Sequence, residues 1–161
     1  MEEWKLIIRS VKLSDLDAVA DLLGEMDLFY GEPFVEPKEL KIDRMSEILF
    51  GSTPSARLVI ARRHDSAPVA GIAAYSFLWP ASGTTKSLYL KELYVASDYR
   101  RQGIARLLME FLQEIVEAER CSRMEWTTDR DNLAAQRFYE AIGAAPRSDK
   151  LFYRQEPSQT E

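Results

Sequence analysis

Hydrophobic positions along the first third of the chain predict one strand and two helices. Lys5 to Val11 is rich in Ile and Leu and predicts a strand. Ser14 is expected to cap the next helix, which Gly31 and Pro33 end. A weaker helical pattern follows from Pro37 to Phe50. The apolar stripe of the first helix recurs at helical spacing, at Leu16, Val19, Ala20, Leu23 and Met26.

The middle of the chain predicts three strands. Arg57 to Arg63 and Val69 to Leu78 are apolar runs joined by a polar turn, His64 to Pro68, and they predict a hairpin. Ser87 to Ala96 predicts a third strand, in which the alternation of apolar residues shifts by one position near the centre. Its apolar residues stand first at even and then at odd positions: Leu88 and Leu90, then Leu93 and Val95. A β-bulge around Lys91 and Glu92 accounts for this change, and such irregularities are common beside active sites.

The last third predicts two helices and two short strands. The best helical pattern runs from Gln102 to Arg120, and a strand from Arg123 to Thr128 follows. Asn132 is expected to cap the next helix, and Gly143 stands where a C-cap belongs. Leu151 to Arg154 predicts a last strand. The apolar stripe of the long helix is unbroken: Ile104, Leu107, Leu108, Phe111, Leu112, Ile115 and Val116.

The predicted order βααβββαβαβ is typical of one α/β domain with a mixed sheet. We expect this domain to occupy residues 1–154, with a polar tail at residues 155–161. The chain has 161 residues, 46% hydrophobic and 29% charged, close to the average of a single globular domain. Cys121 is the only cysteine and His64 the only histidine. An internal disulfide and a structural zinc site are therefore excluded, and no metal is expected.

Charge narrows the classes of function. The net charge of −5 argues against nucleic acid as a partner, because phosphate contacts need clustered Lys and Arg. The chain has no apolar run of about 18 residues and no basic leader in Met1 to Lys5, so we expect a cytoplasmic protein that binds no membrane. Residues 1–50 hold 12 acidic and six basic residues. Any partner of this acidic third is expected to be cationic.

A turn with the sequence Arg-Arg-Gln-Gly lies between a strand and the long helix. Such a junction points backbone N–H groups and the positive helix end at one spot, which suits a phosphate or pyrophosphate. Gly103 lets the backbone approach the anion, and Arg100 and Arg101 supply charge. The alternative is a turn covered by solvated arginines. Rossmann and P-loop sites are excluded because the chain contains neither Gly-x-Gly nor Gly-Lys-Ser/Thr.

Two segments resemble motifs of the GNAT N-acetyltransferase superfamily. Arg100 to Ala105, Arg-Arg-Gln-Gly-Ile-Ala, resembles its acetyl-CoA signature Q/R-x-x-G-x-G/A, with Ala105 in place of the more frequent glycine. Asn132 to Ala144 resembles the later motif, in which an Asn and a Tyr about seven residues apart flank a helix that ends at Gly. Both motifs stand in the family's order and spacing, and the element order agrees over residues 5–154.

The resemblance implies a single GNAT-like domain whose central mixed sheet is splayed in the middle and flanked by helices. The splay would lie between the strands at residues 87–96 and 123–128, and the pantetheine arm of acetyl-CoA would insert there as a pseudo-strand. Arg101 to Arg106 would hold the pyrophosphate, and Asn132 would steady the arm. The residues implied to bind acetyl-CoA are Leu93, Tyr94, Val95, Arg100, Arg101, Gln102, Gly103, Ile104, Ala105, Arg106 and Asn132.

Two residues are candidates for proton transfer, and each has two interpretations. Tyr139 is either a core aromatic or, as the second motif implies, the general acid that protonates the leaving thiolate. A phenol with a pKa of about 10 can protonate a thiolate with a pKa of about 8.5 at a cost of about 2 kcal/mol. Glu92 is either an exposed strand carboxylate or the base that takes a proton from the attacking amine through water.

The resemblance therefore implies an N-acetyltransferase that transfers the acetyl group of acetyl-CoA directly to a primary amine of a small molecule. The acidic first third favours a cationic acceptor such as a polyamine, a diamine or an amino sugar. Val95 to Arg100 is similar to diamine acetyltransferases and Arg100 to Ala105 to aminoglycoside 3-N-acetyltransferases, so the acceptor stays open. The alternatives are a protein or peptide acetyltransferase and a non-catalytic acyl-CoA-binding module. A homodimer is also left open.

Overall fold

The computed structural model describes residues 5–158 and contains one sheet of five strands over that part of the chain. The strands are β1 (Ile7–Ser10), β2 (Arg57–Arg62), β3 (Val69–Leu78), β4 (Ser87–Val95) and β5 (Arg123–Glu125). The α-helices are α1 (Leu16–Tyr30), α2 (Lys38–Phe50), α3 (Ile104–Ala118) and α4 (Leu133–Ala141). The observed order βααβββαβα confirms the predicted α/β class, but it lacks the last strand.

The strands lie in the sheet in chain order, from β1 to β5. All neighbours are antiparallel except β4 and β5, which run parallel. The β4–β5 pairing covers three residues of each strand and ends at Tyr89 and Glu125. Among the described residues no strand pairs with β4 on this side beyond Tyr89. The sheet is therefore open along the second half of β4, as the resemblance implied.

Helices cover both faces of the sheet. On one face α1 packs over the central strands, and the core there consists of Val19, Leu22, Leu58, Ile60, Val69, Ile72, Tyr94 and Ala96. On the other face α3 approaches β3 closely at Gly71. A Cβ at Gly71 would lie 3.1 Å from Ile104 Cγ2 and 3.2 Å from Leu108 Cδ1, so a larger residue would push α3 off the sheet.

The start of α1 differs from the prediction that Ser14 caps it. A turn of 3-10 helix, Leu13–Asp15, comes first, and the Asp15 carboxylate accepts a 2.7 Å hydrogen bond from the backbone N–H of Lys12. Asp15 is buried and also pairs with Arg9 and Arg62. Because these contacts fix Asp15, the chain makes one tight turn before α1 begins at Leu16.

The C-terminal strand predicted at Leu151 to Arg154 is not formed. Leu151, Phe152 and Tyr153 are 78%, 66% and 84% exposed, and no described strand pairs with this segment. A strand needs a neighbour for its backbone groups, and three adjacent apolar residues do not show where that neighbour lies. The strand predicted at Arg123 to Thr128 is shorter than expected and ends at Glu125.

The chain falls into two compact units, residues up to Thr127 and residues from Thr128. The sheet and three of the helices belong to the first unit. In the second, the Asn132 side chain caps α4 by accepting a hydrogen bond from the N–H of Ala135, and Gly143 after the helix has φ +91°; both roles were predicted. Residues 155–158 have no regular structure, whereas residues 1–4 and 159–161 lie outside the described residues.

Candidate functional site

The predicted bulge is present in β4. Leu90 lies opposite Tyr75 and Glu92 lies opposite Ala74, so Lys91 is the extra residue on the β4 side. Residues directly opposite each other in an antiparallel pair project from the same face of the sheet. The apolar residues of β4 therefore project from one face of the sheet, although they stand at even positions before the bulge and at odd positions after it. This confirms the bulge that the sequence predicts.

The bulge determines which side chains of β4 meet α1. Leu93 and Val95 lie opposite Ala73 and Gly71, on the face that α3 covers. Glu92 and Tyr94 lie opposite Ala74 and Ile72, on the face that α1 covers. In the second half of β4, where the sheet is open, apolar side chains under α3 thus alternate with polar side chains under α1.

Tyr94 joins β4 to α1. Its side chain is 4% exposed, and its hydroxyl donates a 2.8 Å hydrogen bond to Glu25 Oε2 on α1. Burial, together with the bond to the Glu25 carboxylate, raises the pKa of Tyr94 to about 12. Ser97 donates to the same carboxylate through its hydroxyl, at 3.2 Å, and its backbone N–H, at 3.3 Å. The Tyr94 side chain therefore belongs to the core, and a ligand at the open edge would meet its backbone.

Glu92, the candidate base, contacts the end of α1. The hydroxyl of Tyr30 donates a 3.1 Å hydrogen bond to Glu92 Oε1. Tyr30 is the last residue of α1, and its ring lies 5.2 Å from that of Phe29, in an edge-to-face arrangement. Sequence reasoning missed both aromatics. The available signal was two adjacent aromatic residues in the last turn of an amphipathic helix, outside its apolar stripe.

The turn before α3 has the backbone expected of a tight strand-to-helix junction. Arg101 has φ +60° and Gly103 has φ +79°, both in the left-handed region. The first helical hydrogen bond runs from the N–H of Leu107 to the carbonyl of Gly103, so the N–H groups of the first helical turn lack partners within the helix. Ile104, which is 2% exposed, anchors the start of α3 in the core. Arg101, Gln102, Gly103 and Arg106 are exposed, and Ala105 is partly buried.

Arg100 holds this turn against β4 and α1. Its guanidinium donates to the carbonyl of Val95 at 3.2 Å and to the hydroxyl of Tyr94 at 3.3 Å. It also lies 4.5 Å from the ring centroid of Phe29, in cation–π contact. The guanidinium of Arg100, which the sequence analysis expects at a phosphate, thus contacts other residues of the protein in this structure. A phosphate contact of Arg100 stays a prediction.

Asn132 and Tyr139 belong to the unit that begins at Thr128. Asn132 Oδ1 accepts a 3.1 Å hydrogen bond from the N–H of Ala135, which fixes the side chain at the start of α4. Tyr139 lies two turns further along α4 and is partly buried, with its ring 5.4 Å from that of Phe138. The roles of Asn132 toward the pantetheine arm and of Tyr139 as acid stay predictions.

Within residues 5–158 no three His, Cys, Asp or Glu side chains are grouped as metal ligands would be. Burial raises the pKa of the partly buried Cys121 thiol, which disfavours the reactive thiolate. None of the helices in the same range combines the length and the apolar character that crossing a membrane requires.

Comparison with known proteins identifies the family. The model of the Acetyltransferase (GNAT) family matches residues 21–144. Thialysine N-epsilon-acetyltransferase of Bos taurus is 25% identical over 143 residues, which cover 86% of this chain and 84% of that protein. Aminoglycoside N(6')-acetyltransferase type 1 of Serratia marcescens is 38% identical over 66 residues, but this match covers 41% of the chain and only 45% of the Serratia protein.

A solved structure has the same fold. An integron cassette protein from the mobile metagenome of V. cholerae superimposes with a TM-score of 0.85 at 28% identity, covering 94% of this chain and 93% of that one. The family match, the shared fold and the order of the two motifs all indicate the same family. The chain belongs to the GNAT family of acetyltransferases.

Proposed function

We propose that the protein transfers the acetyl group of acetyl-CoA directly to the primary amine of a small cationic molecule, such as a polyamine, a diamine or an amino sugar. The GNAT family uses acetyl-CoA as co-substrate. The observation that carries the proposal is the Glu92 carboxylate, which follows the β4 bulge and is hydrogen-bonded by Tyr30. This places a carboxylate on the strand whose backbone would bind the thioester.

The open side of β4 supports the assignment of the acetyl-CoA site. Backbone groups of Leu93, Tyr94 and Val95 would bind the pantetheine arm and the thioester carbonyl, because no described strand pairs with β4 there. The pyrophosphate would lie at the turn before α3, where N–H groups without partners in the helix and exposed arginines meet the positive helix end. The residues proposed for that turn are Arg100, Arg101, Gln102, Gly103, Ile104, Ala105 and Arg106.

The proposed reaction moves protons at the acceptor nitrogen and at the leaving sulfur. Glu92 takes, through water, the proton of the acceptor's ammonium group, and the neutral nitrogen then attacks the thioester carbon; a C–N bond forms and the C–S bond breaks, with no acyl-enzyme intermediate. Backbone N–H groups near Leu93 to Val95 stabilise the oxyanion. The nitrogen releases its second proton to water, and Tyr139 gives its hydroxyl proton to the departing thiolate.

A cationic acceptor is supported by charge and by the relatives. Two acidic side chains of the first third are paired with cations within the protein: Asp27 with Lys41 at 2.6 Å and Glu36 with Arg44 at 2.9 Å. The field that would attract a cation therefore rests more on Glu92 and on the other acids near α2, namely Glu32, Glu39, Asp43 and Glu47. Aminoglycosides and thialysine, for which two relatives are named, carry amino groups.

Other properties stay predictions of the sequence. These are the cytoplasmic location, the single domain of residues 1–154, the homodimer, and the absence of nucleic-acid or membrane partners. A peptide acetyltransferase and a non-catalytic acyl-CoA-binding module are the alternatives to the proposed enzyme. Turnover of small amines separates the proposed enzyme from both.

Replacement of Glu92 tests the role of the carboxylate. The Glu92→Gln variant should acetylate its best amine most slowly relative to the native protein at neutral pH, and it should recover as the pH approaches the amine's own pKa, about 10 for an alkylamine. The control is Glu117→Gln, which removes one charge from an exposed position of α3. If the Glu92 variant keeps the native pH–rate profile, Glu92 is a strand carboxylate and not the base.

A further inference from the structure

The hydrogen bond between Tyr30 and Glu92 has a consequence for catalysis. We infer that Tyr30 is a positioning residue, which holds the Glu92 carboxylate in the orientation from which it accepts the proton of the acceptor amine. This inference rests on the proposed function, because it presupposes that Glu92 is the base. The two residues are 62 positions apart in sequence, and the hydroxyl of Tyr30 lies 3.1 Å from Glu92 Oε1.

The helix end that carries Tyr30 is fixed in place. Gly31, with φ +68°, terminates α1, and its N–H donates to the carbonyl of Leu28. The N–H of Glu32 donates to the carbonyl of Asp27 at 3.0 Å, and this pair of bonds is the Schellman arrangement that closes a helix. The Asp27 carboxylate in turn pairs at 2.6 Å with Lys41 of α2, a lysine that is 8% exposed. The backbone of Tyr30 therefore has little freedom.

The ring of Tyr30 has aromatic neighbours, although the residue is 48% exposed. Its centroid lies 5.2 Å from that of Phe29 and 6.3 Å from that of Tyr94. Phe29 is itself covered by the guanidinium of Arg100 at 4.5 Å. These contacts favour the orientation in which the hydroxyl reaches Glu92 on β4.

The direction of the hydrogen bond matches the proposed role of Glu92. An ionised carboxylate only accepts hydrogen bonds, so Tyr30 must be the donor in this pair. The bond fixes the carboxylate on the side where the bulge has turned the Glu92 side chain toward α1. Loss of the hydroxyl should leave Glu92 present but less well oriented.

The test is a double-mutant cycle with purified full-length protein. Tyr30→Phe keeps the ring and deletes the hydroxyl, and it is combined with Glu92→Gln. Rates are measured with acetyl-CoA and the best acceptor among 1,4-diaminobutane, spermidine and neamine. We expect Tyr30→Phe to lower kcat about tenfold, the effect of one lost hydrogen bond to a charged group. Binding of acetyl-CoA, measured by calorimetry, should stay within about twofold, because Tyr30 lies outside the cofactor turn.

Non-additivity distinguishes positioning from a general structural effect. In the Glu92→Gln background the Tyr30→Phe change should alter kcat less than about twofold, because the carboxylate it orients is gone. The hydroxyl-deletion control is Tyr153→Phe, at a residue that is 84% exposed, and it should keep the native rate. Thermal unfolding of all variants shows whether each is folded under the assay conditions.

The outcomes distinguish the inference about Tyr30 from the proposed function. If Glu92→Gln is slow but Tyr30→Phe keeps the native kcat, the inference about Tyr30 is wrong and the proposed function stands. If the two changes lower kcat additively, Tyr30 acts independently of Glu92 and the inference is also wrong. If Glu92→Gln keeps the native rate, or the native protein acetylates none of the three amines, the base or acceptor assignment fails, and the inference fails with it.

Discussion

Arg62 Nη1 lies 2.9 Å from Asp15 Oδ1, and both side chains are almost completely buried, at 5% and 3% exposed. Arg9 adds a second ion pair to the same carboxylate at 2.6 Å. Arg62 also donates to the carbonyl of Ala67 in the β2–β3 turn, at 2.9 Å from its Nε. Asp15 thus joins the first two strands of the sheet to the start of α1, the helix whose other end carries Tyr30.

Asp15→Asn should destabilise the protein by about 3 kcal/mol, because it leaves two arginines at the site without their carboxylate. The hydrogen bond from Arg9 holds the pKa of Asp15 at about 2, below the ordinary value of 3.8. The contribution of Asp15 to stability is therefore complete above about pH 4 and is lost as the pH falls through 2. Urea unfolding at pH 7 and at several pH values between 4 and 2 measures both effects.

The matched control for Asp15 is Asp17→Asn, whose carboxylate is 74% exposed and pairs with Lys38 at the surface. Its effect should be within about 0.5 kcal/mol. If Asp15→Asn unfolds at the native urea concentration and with the native acid dependence, the buried ion pairs do not stabilise this part of the fold.

Gly103→Val should weaken the binding of acetyl-CoA at least tenfold, about 1.4 kcal/mol, with the fold intact. A Cβ at Gly103 would meet no atom within 4 Å, so packing tolerates the change, but φ +79° is strained for a β-branched residue and the turn must shift. Gly83→Val is the control, since Gly83 has φ +60° and equal space but lies in the β3–β4 loop. Calorimetry that finds equal affinity in folded Gly103→Val and native protein removes the pyrophosphate assignment.

Tyr139→Phe should lower kcat by about 10² with little change in the affinity for acetyl-CoA, since it deletes only the proposed proton donor. The ring remains beside Phe138, so α4 should keep its packing. Steady-state kinetics with the best amine measures the rate. Native activity in this variant means that solvent protonates the thiolate and that Tyr139 is structural.

Signals that lie within a few residues of each other were enough to predict much of the fold. Asn132 as a cap, Gly31 and Gly143 as helix ends, and the bulge near Glu92 are each visible in the local pattern. The strand at residues 151–154 was predicted wrongly because propensity describes a segment and not its partner. The predicted start of α1 was wrong because ion pairs with Arg9 and Arg62, which a local pattern does not show, hold Asp15 in place.

The contacts that shape the candidate site could not be predicted from local pattern. Tyr30 and Glu92 are 62 residues apart, and Glu25 and Tyr94 are 69 residues apart. Periodicity assigns these residues to a helix and a strand, but it does not say which side chains face each other. Only the register of β4 after its bulge brings Glu92 and Tyr94 under the end of α1.

The central claim is that the protein acetylates small cationic amines, and one competition experiment tests it most directly. The purified protein is incubated with acetyl-CoA and an equimolar mixture of spermidine, 1,4-diaminobutane, neamine, a neutral amine and glutamate, and products are quantified by mass spectrometry. We predict acetylation of the cationic amines first, with kcat/KM falling between 0.1 M and 1 M salt as the Debye length shrinks from about 10 Å to about 3 Å. A preferred acceptor of net negative charge, with no dependence on salt, would contradict this account.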